Sequence, residues 1–188
     1  IKGDNCNQLL LSNFTVQNAV GDAIKIKDSD GVTFYHLSTV WTGTVSEENG
    51  AYGLYPVICQ NVLIDSCYVR GASDAGVYVG QSEHIIVRNS LVEENVAGIE
   101  IENCNFADVY GNTARKNTGG ILVFDMPGLT LKNGHQARVY NNEVIDNDFP
   151  NFAAEGNVVA NVPSGTGIMV MTSKEVEIFN NNITRNNV

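Results

Sequence analysis

The stretch that decides the fold is residues 73–125, SDAGVYVGQSEHIIVRNSLVEENVAGIEIENCNFADVYGNTARKNTGGILVFD. It holds one pattern twice over and begins a third copy. Gly76 precedes Val77-Tyr78-Val79, a turn leads to Ile85-Ile86-Val87, an Asn89-Ser90 corner follows, and Leu91-Val92 closes the unit. Gly98 then opens Ile99-Glu100-Ile101, and Gly120 opens Ile121-Leu122-Val123. Apolar residues alternate with others inside each short run, which is the two-residue period of a strand. Runs this short, closed off by Gly and Asn, leave no room for helical connections.

Working outward, the first triplets also include Ile24-Lys25-Ile26, Leu54-Tyr55-Pro56 and Ile168-Met169-Val170. The second triplets begin at Leu9, Val32, Val62, Ile85, Ala107, Ala137 and Val176. Three short strands in a base period of 22–23 residues describe one coil of a parallel solenoid. The sequence therefore predicts an all-β, right-handed parallel β-helix of about seven coils with three loop insertions, in a single domain spanning 1–188. At ~4.8 Å per coil the rod would be roughly 34 Å long. A β-propeller is excluded, since its blades need about 40–45 residues each. The first residue is Ile1 and the pattern is still running at Val188, so the chain is expected to be a processed or partial piece of a longer one.

Composition narrows function by exclusion. Charged residues make up 17% of the 188 positions, and 21 acidic against 11 basic residues give a net charge of −10. No basic stripe offsets that charge, so nucleic acid is not an expected partner. No apolar run approaches the ~18 residues needed to span a bilayer.

Corner Asn residues recur at Asn89, Asn112, Asn141-Asn142 and Asn180-Asn181, with Ser66-Cys67 in the same place. Asn tolerates the left-handed backbone of a sharp corner and stacks amide on amide between coils. The two sequons, Asn13-Phe14-Thr15 and Asn182-Ile183-Thr184, need no other explanation. Cys6, Cys59 and Cys104 each sit three residues before a second strand, two coils apart, or roughly 9–10 Å. That exceeds the ~7 Å limit for a disulfide, so all four cysteines, Cys67 included, are expected as free thiols.

Two insertions, Trp41 to Tyr52 and about 147 to 166, follow third strands and enter first strands. A third, Met126 to Gln136, leaves the first-strand face on its other edge. Loops on a rigid scaffold are where function concentrates, so this face is the candidate site. Its middle column is Lys25, Tyr55, Tyr78, Glu100, Leu122 and Met169, flanked by Lys27, Glu102, Gln81, Asn103 and Asp125. Aromatic rings beside carboxylates and amides suit a sugar, which nominates Trp41, Tyr55, Tyr78, Gln81, Glu100, Asn103 and Asp125 as ligand-binding residues. The alternative is that Tyr is simply a good strand residue and Glu a solvating one.

Three chemistries are open to the same face. Glu100, Glu102 and Asp125 are catalytic candidates for glycoside hydrolysis, which needs two carboxyl groups about 5–5.5 Å or 6.5–9.5 Å apart. The same trio is the candidate for Ca²⁺, the one cofactor the sequence suggests. A uronate lyase needs a cation for the substrate carboxylate and a base, and the face offers only Lys25 and Lys27. His84 with Arg88 lies around the corner, while His36 and His135 have no evident partner.

The strings ENGAYGLYP (48–56), SDAGVYVGQS (73–82), ENVAGIEIENC (94–104), NTGGILVFDMPGL (117–129) and GTGIMVMTSKEVEIFNNNI (165–183) resemble a family of bacterial parallel β-helix repeat proteins. The resemblance implies export to the periplasm, cell surface or medium, and a gene neighbour encoding a c-type cytochrome-like protein, a potential partner. It implies no activity. More distantly the chain is similar to mannuronan C5-epimerases, which carry Tyr-Gly-x-Asp-Pro-His-Asp on a first strand. Tyr52, Gly53 and Pro56 match that frame, but Tyr55, Val57 and Ile58 stand where the two Asp and the His would be. The scaffold carries over and the acid–base machinery does not.

The expectation is thus an exported, non-catalytic β-helix that binds a polysaccharide or another envelope protein on its first-strand face. The alternatives are a polysaccharide lyase or hydrolase using Glu100, Glu102 and Asp125 with Tyr78 and Lys25, and a structural protein that associates end to end through open strand edges.

Overall fold

The computed structural model describes residues 1–187. Three parallel sheets of seven strands each run the length of the rod, and every coil contributes one strand to each sheet. The first-strand sheet is built from Lys2–Asp4, Ile24–Lys27, Tyr52–Val57, Ala75–Gly80, Ala97–Glu102, Gly119–Phe124 and Thr166–Met171. The second-strand sheet comprises Asn7–Ser12, Asp30–Tyr35, Gln60–Asp65, Glu83–Arg88, Asn105–Tyr110, His135–Tyr140 and Glu177–Phe179. Strands of three residues, from Thr15–Gln17 to Asn182–Thr184, form the third. One 3₁₀ turn, Val158–Asn161, interrupts the long insertion.

The register follows the repeat. Lys25 pairs with Tyr55, Tyr78 with Glu100, Glu100 with Leu122, and Leu122 with Met169, so the middle residues of the triplets do share a column. The alternate positions face inward, where Ile24, Leu54, Val77, Ile99 and Ile121 join Val32, Val62, Ile85 and Val139 in one continuous core. The glycine that precedes five of the six first-strand triplets is there for proximity: a Cβ at Gly98 would come within 2.5 Å of the Gly120 carbonyl oxygen.

The corners use left-handed backbone. Ser66, Asn89, Gly111, Asn141 and Asn180 have φ of 56°, 52°, 64°, 54° and 54°, and the next residue turns its side chain into the rod. There Cys67 N–H donates to Ser90 Oγ (3.1 Å), Asn112 Nδ2 to Asn142 Oδ1 (3.1 Å), and Asn142 Nδ2 to Asn181 Oδ1 (2.9 Å). A second ladder runs through Asn95, Asn117, Asn147 and Asn186 at the next corner, with amide-to-amide distances of 3.0, 2.9 and 3.0 Å. Each amide also caps a backbone group of a neighbouring coil, so buried polar atoms are satisfied in series.

The thiols are free. Ser29 and Ser82 alternate with them, Ser29 Oγ accepting from Cys6 N–H (2.9 Å) and Ser82 Oγ from Cys59 N–H (3.0 Å). Burial pushes Cys67 up to about 11 and Cys104 up to about 12, which keeps both protonated and inert.

Candidate functional site

The first-strand face is where the structure departs from the sequence reading. The residues point away from the rod's core as expected, but the insertions fold down on them. Tyr78 (6% exposed), Leu122 (0%) and Phe124 (3%) are packed under Val159 and Val162 of the long insertion, forming a second apolar core outside the coils. Phe152, Ala153 and Met126 close its margins. Asn151 holds the insertion in shape by donating to the carbonyls of Val159 (2.9 Å) and Val162 (3.0 Å).

Several candidate ligand-binding residues are fasteners for these loops. Asn103 Nδ2 donates to Met126 O (3.1 Å) and Leu131 O (2.9 Å), and its Oδ1 accepts from Met126 N–H (2.7 Å). Gln81 Oε1 accepts from Thr130 N–H at 2.9 Å. Asp125 accepts from Gly134 N–H (2.6 Å) and Ser173 Oγ (2.9 Å). Trp41 is 4% exposed and joins the main core, its indole N–H donating to Ala19 O at 2.7 Å. It is a wedge beneath the first insertion, not the wall of a groove. The physical reason is common to all four: an ordered insertion needs its backbone groups bonded and its apolar side chains buried.

A cavity of about 410 Å³ remains under the insertion, lined by Leu122, Phe124, Val159, Val162 and Met169, and the sheet is also open at its other end, nearer Lys25. Tyr52, Tyr55 and Tyr78 pack as a trio with ring centroids 4.6, 4.7 and 4.8 Å apart. Lys25 Nζ lies 4.1 Å from the Tyr55 ring centroid and 3.7 Å from Asp22. Tyr52 was outside the candidate residues; it sits in the epimerase-like frame, and its hydroxyl donates to Asp74 Oδ2 at 3.2 Å.

Close to the rings lies a group of carboxyls, Asp74, Glu100 and Glu102. Glu100 is 1% exposed and its Oε1 has no hydrogen-bond partner. Burial, then the charges of Asp74 and Glu102, push it well above the carboxylate range, so it is held as the neutral acid. Burial likewise raises Asp74 to about 6, with Glu102 and Asp22 adding to the shift and the Tyr52 hydrogen bond opposing it. Glu102 is raised by burial and by Asp125, against a hydrogen bond from Tyr78.

This arrangement bears on two of the alternatives. A hydrolase needs its acid and its second carboxylate exposed to one substrate, whereas Glu100 is sealed and Asp125 is committed to a loop. The Glu100, Glu102 and Asp125 trio does not gather round a point either: among the described residues no three His, Cys, Asp or Glu side chains converge to hold a metal ion. His84 and Arg88 do not form a unit. His84 stacks on Phe106 at 5.0 Å, while Arg88 is bound to Asp65 (2.9 Å) and the Tyr110 hydroxyl (3.2 Å).

With this geometry in hand, a family model described as a right handed beta helix region matches residues 1–148. The chain belongs to the right-handed β-helix family. No curated protein matches this β-helix. Among solved structures it is similar to a point mutant of the periplasmic alginate epimerase AlgG, with a TM-score of 0.69 and 14% identity over 97% of this chain and 47% of that one. Another structure of AlgG gives a TM-score of 0.58 and 11% identity over 95% of this chain and 47% of that one. The β-helix thus spans about half the length of these structures, and at such identity they share its fold. No described helix is long and apolar enough to cross a membrane.

Proposed function

We propose that the chain is the β-helix of an exported polysaccharide-recognition protein, and that it binds its ligand without transforming it. The observation that carries this reading is the half-buried pair Tyr52 and Tyr55 at the less covered end of the first-strand sheet, backed by buried Tyr78, with Lys25 over Tyr55 and half-buried Asp22 and Glu102 alongside. Tyrosine ring faces pack on sugar C–H faces, and Lys25, Asp22 and Glu102 are within the same patch to serve hydroxyls. The likeness to a periplasmic epimerase supports both the class of ligand and the compartment. Absence of catalysis rests on the residues: the epimerase frame carries Tyr55, Val57 and Ile58, and Glu100 has no route to substrate.

The test is calorimetric titration with neutral and uronate oligosaccharides, run beside assays for new reducing ends and for unsaturated products. Tyr55→Ala should weaken binding about tenfold or more while the circular dichroism spectrum stays that of the wild type. Turnover that disappears in Glu100→Gln would overturn the non-catalytic reading.

A further inference from the structure

On the opposite flank the second-strand sheet has no insertion folded over it. Two troughs of about 680 and 430 Å³ run along it and share Phe106 and Asp108. Together they reach from Asn61 to Glu177, five strands or roughly 19 Å at the interstrand spacing. Alternation along each strand puts His84 and Phe106 on one wall, Ile86 and Asp108 on the floor, and Tyr110 outward in the next column, beyond the lining residues. That neighbouring column is a stack, with Tyr110 on Tyr140 at 5.0 Å and Tyr140 on Phe179 at 4.9 Å.

The wall of His84 and Phe106 carries a conformational cost. Its column, Asn61, His84, Phe106, Gln136 and Glu175, lies in left-handed backbone, with φ of 53°, 56°, 57°, 59° and 52°. Gly31 fills the same place in an earlier coil at 69°. Gly or Asn suits this position, and a bulky aromatic does not. Phe106 is nevertheless there, 42% exposed, stacked on His84 and set 5.3 Å from His135. Two ring contacts are what the fold gains from a residue that strains the backbone and stays 42% exposed.

We infer that this trough is a second ligand track, which takes a linear, uncharged glycan lying along the rod. Its open ends and coil-to-coil repetition suit a periodic chain. Charges in it are largely self-cancelled: Arg138 grips Asp108 with two bonds of 2.7 Å, and Arg88 grips Asp65 at 2.7 Å. The remainder, Glu175 and Glu177, is acidic and repels uronates and phosphates. Fixed carboxylate, guanidinium and amide groups beside aromatic rings are the recognition chemistry of sugar hydroxyls and C–H faces.

The experiment is an amide NMR titration of the ¹⁵N-labelled chain with cellohexaose, mannohexaose and chitohexaose, with hexamannuronate as the anionic control. At least one neutral hexamer should move the amides of His84, Phe106, Asp108 and Gln136, and hexamannuronate should not. Phe106→Asn should weaken that binding about tenfold while leaving Tm unchanged or higher, a pairing that a merely structural Phe106 would not give. Tyr55→Ala should leave it intact. The inference falls if no neutral hexamer moves these amides, if hexamannuronate moves them equally, or if Phe106→Asn binds like the wild type. Shifts confined to Tyr52 and Tyr55 would also overturn it while leaving the first-strand reading in place. Shifts produced by raising protein concentration alone would assign the face to a protein contact, and overturn it too.

Discussion

The first-strand and second-strand sheets are made by the same repeat, yet their outward columns have opposite fates. On the first, Tyr78 and Leu122 join the insertion in a second core, with Glu100 sealed between them. On the second, Leu63, Ile86 and Asp108 occupy the equivalent positions and line an open trough. The backbone treats the two faces alike, so the insertions decide which one is presented. Their chemistry diverges accordingly: acids under the loops favour their protons, whereas Asp65 is held as a carboxylate by paired donors.

The largest effect expected from this contrast is on packing. Leu122→Ala should cost about 2–5 kcal/mol, because it opens a cavity between sheet and insertion. Ile86→Ala, in the matching column of the open face, should cost about 1 kcal/mol. Urea unfolding of the two variants reads the difference directly, and equal losses would mean that the long insertion does not seal the first sheet.

The next effect is on pH dependence, where the two faces should have opposite signs. Asp74 has its folded-state value raised to about 6 by burial, so its contribution is complete below about pH 4 and is lost as pH rises through about 6. Asp74→Asn should therefore be more stable than the wild type at pH 8, by an amount of order 2 kcal/mol, and should lose that advantage by pH 4. Burial alone would raise Asp65, but hydrogen bonds from Asn89, Arg88 and Ser66 outweigh it and hold the group below the usual range. Its stabilisation is present above about pH 4 and is lost as pH falls through its lowered value. Asp65→Asn should therefore cost about 1–3 kcal/mol at pH 7, and the deficit should shrink on acidification. Thermal melts from about pH 2 to about pH 8 would reveal any pair of curves that tilt the same way.

A smaller effect sits on the seam between the sheets. Ile58 is a β-branched residue at φ 54°, in a column with Asp28, Gln81 and Asn103 at 47°, 49° and 49°. Ile58→Asn should stabilise by about 1 kcal/mol, a rise in Tm of roughly 2–4 °C. No rise in calorimetry would mean that the Ile58 side chain repays its strain through contacts at the corner.

The coil register was legible in the sequence because spacing alone sets it: Lys25, Tyr55, Glu100 and Met169 stack because two dozen residues make one turn. So were the asparagine corner at Asn112 and Asn142 and the isolation of the thiols. The second ladder, Asn95 to Asn186, repeats at the same intervals and was readable by the same arithmetic. Exposure was not legible, because outward orientation is a property of one strand while burial depends on which loop returns to cover it. A signal for that cover existed in the long insertion itself. Phe149, Phe152, Val158, Val159 and Val162 are too apolar for a loop that stays in water. The aromatic row from Phe106 was obscured for another reason: its backbone strain exists only in three dimensions.

The most direct test of closed against open faces is hydroxyl-radical footprinting read by mass spectrometry. Phe106 and Tyr35, 42% and 40% exposed, should be oxidised readily, while Phe124 and Tyr78, at 3% and 6%, should be protected until the fold is unfolded. Oxidation of Phe124 and Tyr78 as fast as Phe106 in the native protein would contradict the account.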